Sequence, residues 1–232
     1  MAVYSSLTDI VKLSPNYNDR GNNKIKRFTP HCIVGQHRAI EVAGWPKFND
    51  LKIASANYII GRDGELLCNV SEDKRAWTSG GKLNVNGRTG KQNDYEAITV
   101  ECASDAASPY AFNGVVYDKL IQLCVDICKR YNKTKVVWIP NAAQSETYAK
   151  TMPDNELLIT VHRWYAAASC PGDWLYNRLG SFADTVNKIL SDIKPGTGLY
   201  HVQIGAFVNK DNAEKLAKEL QQKGYDTYVT YY

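Results

Sequence analysis

The stretch HRWYAAASCPG, residues 162–172, sets an imidazole and a thiol eight residues apart in a chain with only four histidines. Catalytic zinc takes three protein ligands, commonly histidine and cysteine among them, and keeps a fourth position open for water. His162 closes the apolar run LLITVH (157–162) and Cys170 opens a Pro-Gly turn. The chain between them can therefore leave a strand, loop and return its sulfur to the same point. Two unrelated buried residues would show the same spacing, so a third ligand has to decide. His37 follows a Gly-Gln turn and reads as a surface loop residue, and His201 lies beyond a linker in a small appendage. His31, in RFTPHCIVGQ just ahead of a β-like run, can sit on a central strand beside the one that ends at His162. Two neutral imidazoles and one thiolate leave such an ion net positive, which acidifies water and polarises a carbonyl.

The elements that must position these residues are legible as runs. SANYIIGRDGELLCNV (55–70) reads as a hairpin, two β-prone stretches around a turn whose glycine permits positive φ. AITVEC (97–102), KVVWIP (135–140) and LLITVH (157–162) read as buried strands. Apolar residues recur at helical spacing over 114–131 and 174–193. Strands mixed with helices predict an α/β domain with a central mixed sheet flanked by helices. Residues 78–94, TSGGKLNVNGRTGKQND, offer little to bury and read as a long loop of the kind that often carries function. Of the six cysteines, Cys124 and Cys128 stand four apart but continue the stripe Val116, Leu120, Leu123, Ile127, so core packing explains them. The cysteines other than Cys170 read as buried free thiols in a reducing compartment.

At 232 residues and a net charge of +4, the composition is that of an ordinary globular protein, with no run of about 18 apolar residues to insert in a membrane. The charge is concentrated in residues 1–40, which suits a polyanionic wall as well as a solvated surface. No basic-aromatic stripe argues for nucleic acid. The first residues lack the basic start, apolar block and cleavage site of a secretory signal. The expectation is synthesis in the cytoplasm, with a separate route of release if it acts outside.

A boundary is expected at SDIKPGTG, giving a catalytic domain over 1–190, a linker over 191–198 and a small unit over 199–232. That unit reads as β-α-β. LYHVQIGAF alternates, Asp211 and Glu214 form a capping box, Gly224 ends the helix, and YDTYVTYY alternates again. Such a unit is short of core, and Tyr225, Tyr228, Tyr231 and Tyr232 are much aromatic surface to leave in water. A homodimer joined through it is the expectation, with docking on its own catalytic domain as the alternative.

In order along residues 25–180 stand an early-strand histidine, the hairpin followed by RAWTSGG, the acid of NDYEAITVE, and TVHRWYAAASCPG. This order resembles the zinc N-acetylmuramoyl-L-alanine amidases of the phage-lysozyme and peptidoglycan recognition protein type. The resemblance implies zinc (Zn2+) held by His31, His162 and Cys170. It implies hydrolysis, by zinc-activated water, of the amide between N-acetylmuramic acid and the L-alanine of the stem peptide, with bacterial peptidoglycan as the partner. It also implies that Glu101, which strand alternation puts on the face of Thr99, moves the proton. The other reading of Glu101 is an edge carboxylate paired with a lysine. Trp77 and the adjacent Thr78 match a stretch bordering the groove and are candidate substrate contacts; a plain core tryptophan is the other reading. Where many relatives carry a lysine, threonine or arginine, this chain has Ala168, so oxyanion stabilisation must rest elsewhere. YHVQIGAFVNKDNAEKLAKELQQKGYDTYV is similar to half of a sporulation-related (SPOR) repeat, a peptidoglycan-binding module. Two alternatives remain open: a non-catalytic peptidoglycan binder on the same fold, and an intracellular amidase acting on soluble muropeptides.

Overall fold

The computed structural model describes residues 3–49, 52–192, 204–225, 227 and 229. Chain contacts divide the protein into two units, Met1–Ile193 and Lys194–Tyr232.

The first unit is built on nine strands: β1 (Ile10–Val11), β2 (Tyr17–Asp19), β3 (Arg27–Cys32), β4 (Tyr58–Ile60), β5 (Leu66–Cys68), β6 (Lys74–Ala76), β7 (Ala97–Cys102), β8 (Lys135–Val137) and β9 (Glu156–Ile159). Its helices are α1 (Ala39–Ala43), α2 (Pro46–Asn49), α3 (Gly90–Glu96), α4 (Gly114–Arg130), α5 (Ala142–Tyr148), α6 (Asp173–Tyr176) and α7 (Leu179–Asp192). Seven strands form one mixed sheet in the order β1-β5-β4-β7-β3-β9-β8, and β2 pairs with β6 apart from it. The hairpin β4–β5 is antiparallel, as the Arg-Asp-Gly turn requires, and the central strands β4, β7, β3, β9 and β8 run parallel.

Period-two alternation gives the central strands two different faces. Phe28, Cys32, Ile98, Val100, Cys102, Leu157 and Ile159 join one core cluster with α4 and α7. The α4 stripe Val116, Leu120, Leu123, Cys124, Ile127 and Cys128 is buried there, and Phe28 stacks on Phe182 at 6.1 Å. Each large apolar side chain so buried contributes about 1.5–3 kcal/mol, which is what holds α4 down. Asn113 caps its first turn, accepting from the Val116 amide, and Lys129 and Arg130 complement its last.

The opposite face is apolar only towards one edge, where Ile59 and Leu67 pack under Val42 and Phe48 of α1 and α2. Under the middle strands it is polar: Arg27, Thr29 and His31 on β3 stand in register with Ala97, Thr99 and Glu101 on β7. Arg27 is buried and meets Glu146 of α5 through both guanidinium nitrogens, at 2.7 and 2.8 Å.

Three local expectations are revised. The reading of 78–94 as one long loop fails from residue 90, because Thr89 and Gln92 cap each other and start α3. The helix expected over 174–193 is two pieces, α6 and α7, separated at Asn177 and Arg178; Leu175 and Leu179, four apart, keep the same buried side across the break. In the second unit, α8 (Lys210–Gln222) is capped by Asn209, whose side chain accepts from the Asp211 amide, so Asp211 lies inside the helix rather than at its cap. Gly224 (φ +86°) follows the helix end. Residues 199–203 of the first expected strand lie outside the described residues, as do most of 226–232, while 204–207 carry no regular structure. No described helix is long and apolar enough to cross a membrane.

Candidate metal centre

His31 stands near the carboxyl end of β3, 1 % exposed. Burial, with His162 beside it, holds its pKa well below the usual imidazole range, so the ring is neutral and carries a lone pair. His162 lies three residues past the end of β9, in a short 3-10 turn (His162–Trp164). The alternation of the strand nevertheless continues through Thr160 to His162, since Leu157, Ile159 and Val161 all lie in the apolar cluster. This places His162 on the face of His31, with ring centroids 5.1 Å apart.

Cys170 returns to the same point because Arg163 folds the intervening turn. The Arg163 amide donates to the Cys170 carbonyl at 3.1 Å, and its guanidinium reaches the Ser169 carbonyl at 2.5 Å and Asp173 at 2.9 Å. Gly172 is then required: it has φ +85°, and a Cβ there would stand 2.7 Å from the Pro109 carbonyl oxygen. The Cys170 sulfur lies 3.3 Å from His31 Nδ1, and the donor atoms of His31, His162 and Cys170 all lie within 4.8 Å of one another. Among the described residues no other three histidine, cysteine or acidic side chains gather in this way.

Glu101 is the β7 neighbour of His31 in register, on the same face and partly exposed. Burial pushes its carboxyl up to about 7, while the charge of Lys47 on α2 pulls the other way. Without a cation, burial keeps the Cys170 thiol protonated, and the neighbouring Cys32 and Glu101 add to this. Trp77 donates from its ring nitrogen to Asn18 Oδ1 at 2.8 Å, with the Arg75 guanidinium 5.9 Å from its ring centroid. Thr78 turns inward to Thr99 Oγ1 at 2.7 Å and the Ser55 carbonyl at 2.6 Å. Among the described residues, neither side chain hydrogen-bonds to His31, His162 or Cys170. Ala168 is exposed and offers no side-chain donor.

The sequence reading missed the residues behind the two histidines. Ser79 Oγ lies 3.2 Å from His31 Nε2, and the Gly80 carbonyl 3.0 Å from His162 Nε2. Buried Asp94, whose carboxyl burial pushes up against several hydrogen bonds, receives the Thr78 and Ser79 amides at 3.0 and 2.8 Å. The one signal available was the length and glycine content of the 78–94 segment.

No curated protein sequence matches the chain at a significant level. Among solved structures, the crystal structure of a selenomethionine AmpD derivative superposes with a TM-score of 0.51 at 21 % identity, covering 82 % of this chain and 99 % of that one. The solution structure of Citrobacter freundii AmpD gives 0.47 at 21 %, covering 83 % and 96 %. The N-acetylmuramoyl-L-alanine amidase LysC from Clostridium intestinale gives 0.43 at 14 %, covering 76 % and 97 %. The first of these shares the mixed α/β fold described above. The family profile described as N-acetylmuramoyl-L-alanine amidase matches residues 21–173, and that of the SPOR domain matches residues 196–232. The chain belongs to the N-acetylmuramoyl-L-alanine amidase family, is a peptidoglycan amidase, and carries a SPOR domain at its carboxyl end.

Proposed function

We propose that this amidase holds one zinc ion on His31, His162 and Cys170 and uses Glu101 to move the proton that hydrolysis requires. The donor set fits the metal: two imidazoles and one sulfur converge, and among the described residues no fourth histidine, cysteine or acidic side chain joins the group. When bound there, zinc supplies a Lewis acid that polarises the scissile carbonyl and acidifies water. Glu101 takes a proton from the water that attacks the lactyl carbonyl carbon. It hands that proton to the L-alanine nitrogen as the C–N bond breaks, so a carboxylate is left on the sugar side and a free amine on the peptide. Burial raises the Glu101 carboxyl in the metal-free protein, so it is not held permanently ionised and can serve as a proton carrier. The single observation that carries the reading is Glu101 in register with His31 on one face of the sheet, beside the His–His–Cys cluster.

The experiment is digestion of purified bacterial walls, scoring new L-alanine amino groups and wall lysis with and without a chelator. Amine release abolished by chelation is expected. Release of reducing sugars instead, or full activity in Cys170→Ser, refutes the assignment.

The SPOR domain associates this enzyme with the cell wall. We further propose that two copies pair through it. On α8 the apolar stripe Ala213, Leu216, Ala217 and Leu220 is only half-buried, and Tyr225 is 61 % exposed. A second copy would cover this surface. The tyrosines at 228, 231 and 232 belong to the same expectation and lie outside the described residues.

A further inference from the structure

Both histidines of the cluster lean on one short segment of chain. The ring nitrogen of His162 that faces away from the cluster meets the Gly80 carbonyl at 3.0 Å, and a carbonyl only accepts. His162 therefore carries its proton on Nε2 and leaves Nδ1 free. One residue earlier, Ser79 Oγ meets His31 Nε2 at 3.2 Å. The same Ser79 oxygen also takes a 3.5 Å contact from Asn93 Nδ2. His31 turns Nδ1 towards the Cys170 sulfur, 3.3 Å away, so binding a metal through Nδ1 puts the His31 proton on Nε2, the nitrogen that faces Ser79.

The segment itself has little freedom. Asp94 Oδ2 holds the Thr78 and Ser79 amides, and Asn93 ties the same group to Thr29 at 3.1 Å and Thr160 at 2.8 Å on the central strands. Ser79, Asn93, Asp94, Thr29 and Thr160 are all fully buried. Gly90, at the start of α3, lies so close that a Cβ there would stand 1.4 Å from the Ser79 carbonyl oxygen. A buried hydrogen-bonded group of this kind costs more to leave half-satisfied than to form, so its geometry is fixed.

We propose that Ser79 and Gly80, locked by Asp94, are the positioning residues that fix the tautomer and orientation of both histidines and so preorganise the metal site. This rests on the reading of His31, His162 and Cys170 as ligands. A ligand histidine whose other nitrogen is held binds metal more tightly, and loss of such a partner weakens affinity roughly 10–100-fold.

The test compares the full-length protein with Ser79→Ala and Asp94→Asn. Zinc dissociation constants are measured by competition with a chromophoric chelator, melting of the metal-free proteins is followed beside them, and the imidazole tautomers of the metal-free wild type are read by long-range 1H–15N spectra. Ser79→Ala leaves the Thr78 and Ser79 amides on Asp94, so its fold should hold while zinc affinity falls roughly 10–100-fold; Asp94→Asn should fall at least as far. The wild-type spectra should show His31 and His162 both protonated on Nε2. If the wild type binds no zinc, it is the ligand assignment that fails. If the wild type binds zinc but Ser79→Ala binds it equally well, or His31 carries its proton on Nδ1, the positioning role is overturned. Equal falls in melting temperature and affinity that a destabilising core variant away from the site, such as Leu120→Ala, reproduces would also overturn it.

Discussion

Replacing Glu101 with glutamine should make the metal-free protein more stable and the enzyme much slower. The carboxyl rises from its ordinary 4.5 to about 7 because the sheet face around it withholds water from the charge. A folded-state pKa above the unfolded one means that the native protein holds this proton more tightly. The protonated form is stabilising below about pH 4.5, and that contribution is lost as pH climbs through 7. At about 1.4 kcal/mol for each tenfold change in proton affinity, the full rise corresponds to about 3 kcal/mol by pH 8. Partial exposure of the side chain and solvent screening reduce this to roughly 1–3 kcal/mol. Glutamine keeps the shape and has no proton to lose. Urea unfolding of both chelator-treated proteins at pH 4 and pH 8 measures the difference: near zero at the lower pH, in favour of glutamine at the higher. On cell walls, turnover should fall roughly 10²–10⁴-fold, the range for a positioned proton-transfer group. A glutamine variant no more stable than wild type at pH 8 would mean that Glu101 is solvated well enough to ionise normally. The argument for a poised proton carrier would then fall with it.

Cys170→Ser and His31→Ala should each empty or greatly weaken the zinc site, read as metal content per chain after dialysis; full occupancy in either removes that residue from the ligand set. Glu146→Ala should cost about 3–5 kcal/mol in urea unfolding, because it leaves the two terminal nitrogens of the buried Arg27 guanidinium without their carboxylate and only the Nε contact to Glu96 in place; a loss under 1 kcal/mol would show that Glu96 and water satisfy Arg27. Truncation after Ser191 should give a monomer that keeps zinc and amidase activity, and sedimentation showing the full-length chain already monomeric at micromolar concentration would reject the pairing of two copies.

The central sheet and the cluster on it were legible for the same reason: alternation along a strand is local information. RFTPHC and AITVEC each put every second residue on one side, so once the two strands lie parallel and in register, His31 and Glu101 must share a face. Histidine is scarce in this chain, so choosing the candidate ligands was a selection among four residues. The α3 helix was hidden because it has seven residues and begins inside a glycine- and asparagine-rich stretch; its Thr89–Gln92 capping pair is a real signal that the absence of an apolar stripe outweighed. The break between α6 and α7 was hidden because Leu175 and Leu179 preserve helical spacing across it. Ser79 and Gly80 were beyond reach for a different reason. A serine hydroxyl and a backbone carbonyl become partners of two histidines only when α3 brings Asp94 and Gly90 against the segment, and neither residue type announces that use. Ligands are chosen by chemistry that a residue carries alone, whereas the groups that aim them are chosen by contacts that exist only after folding. On the proposed positioning role, the aim of His31 and His162 depends on α3, the element whose sequence signal was weakest, and substitutions in its first turn should disturb the proposed metal site without touching a candidate ligand.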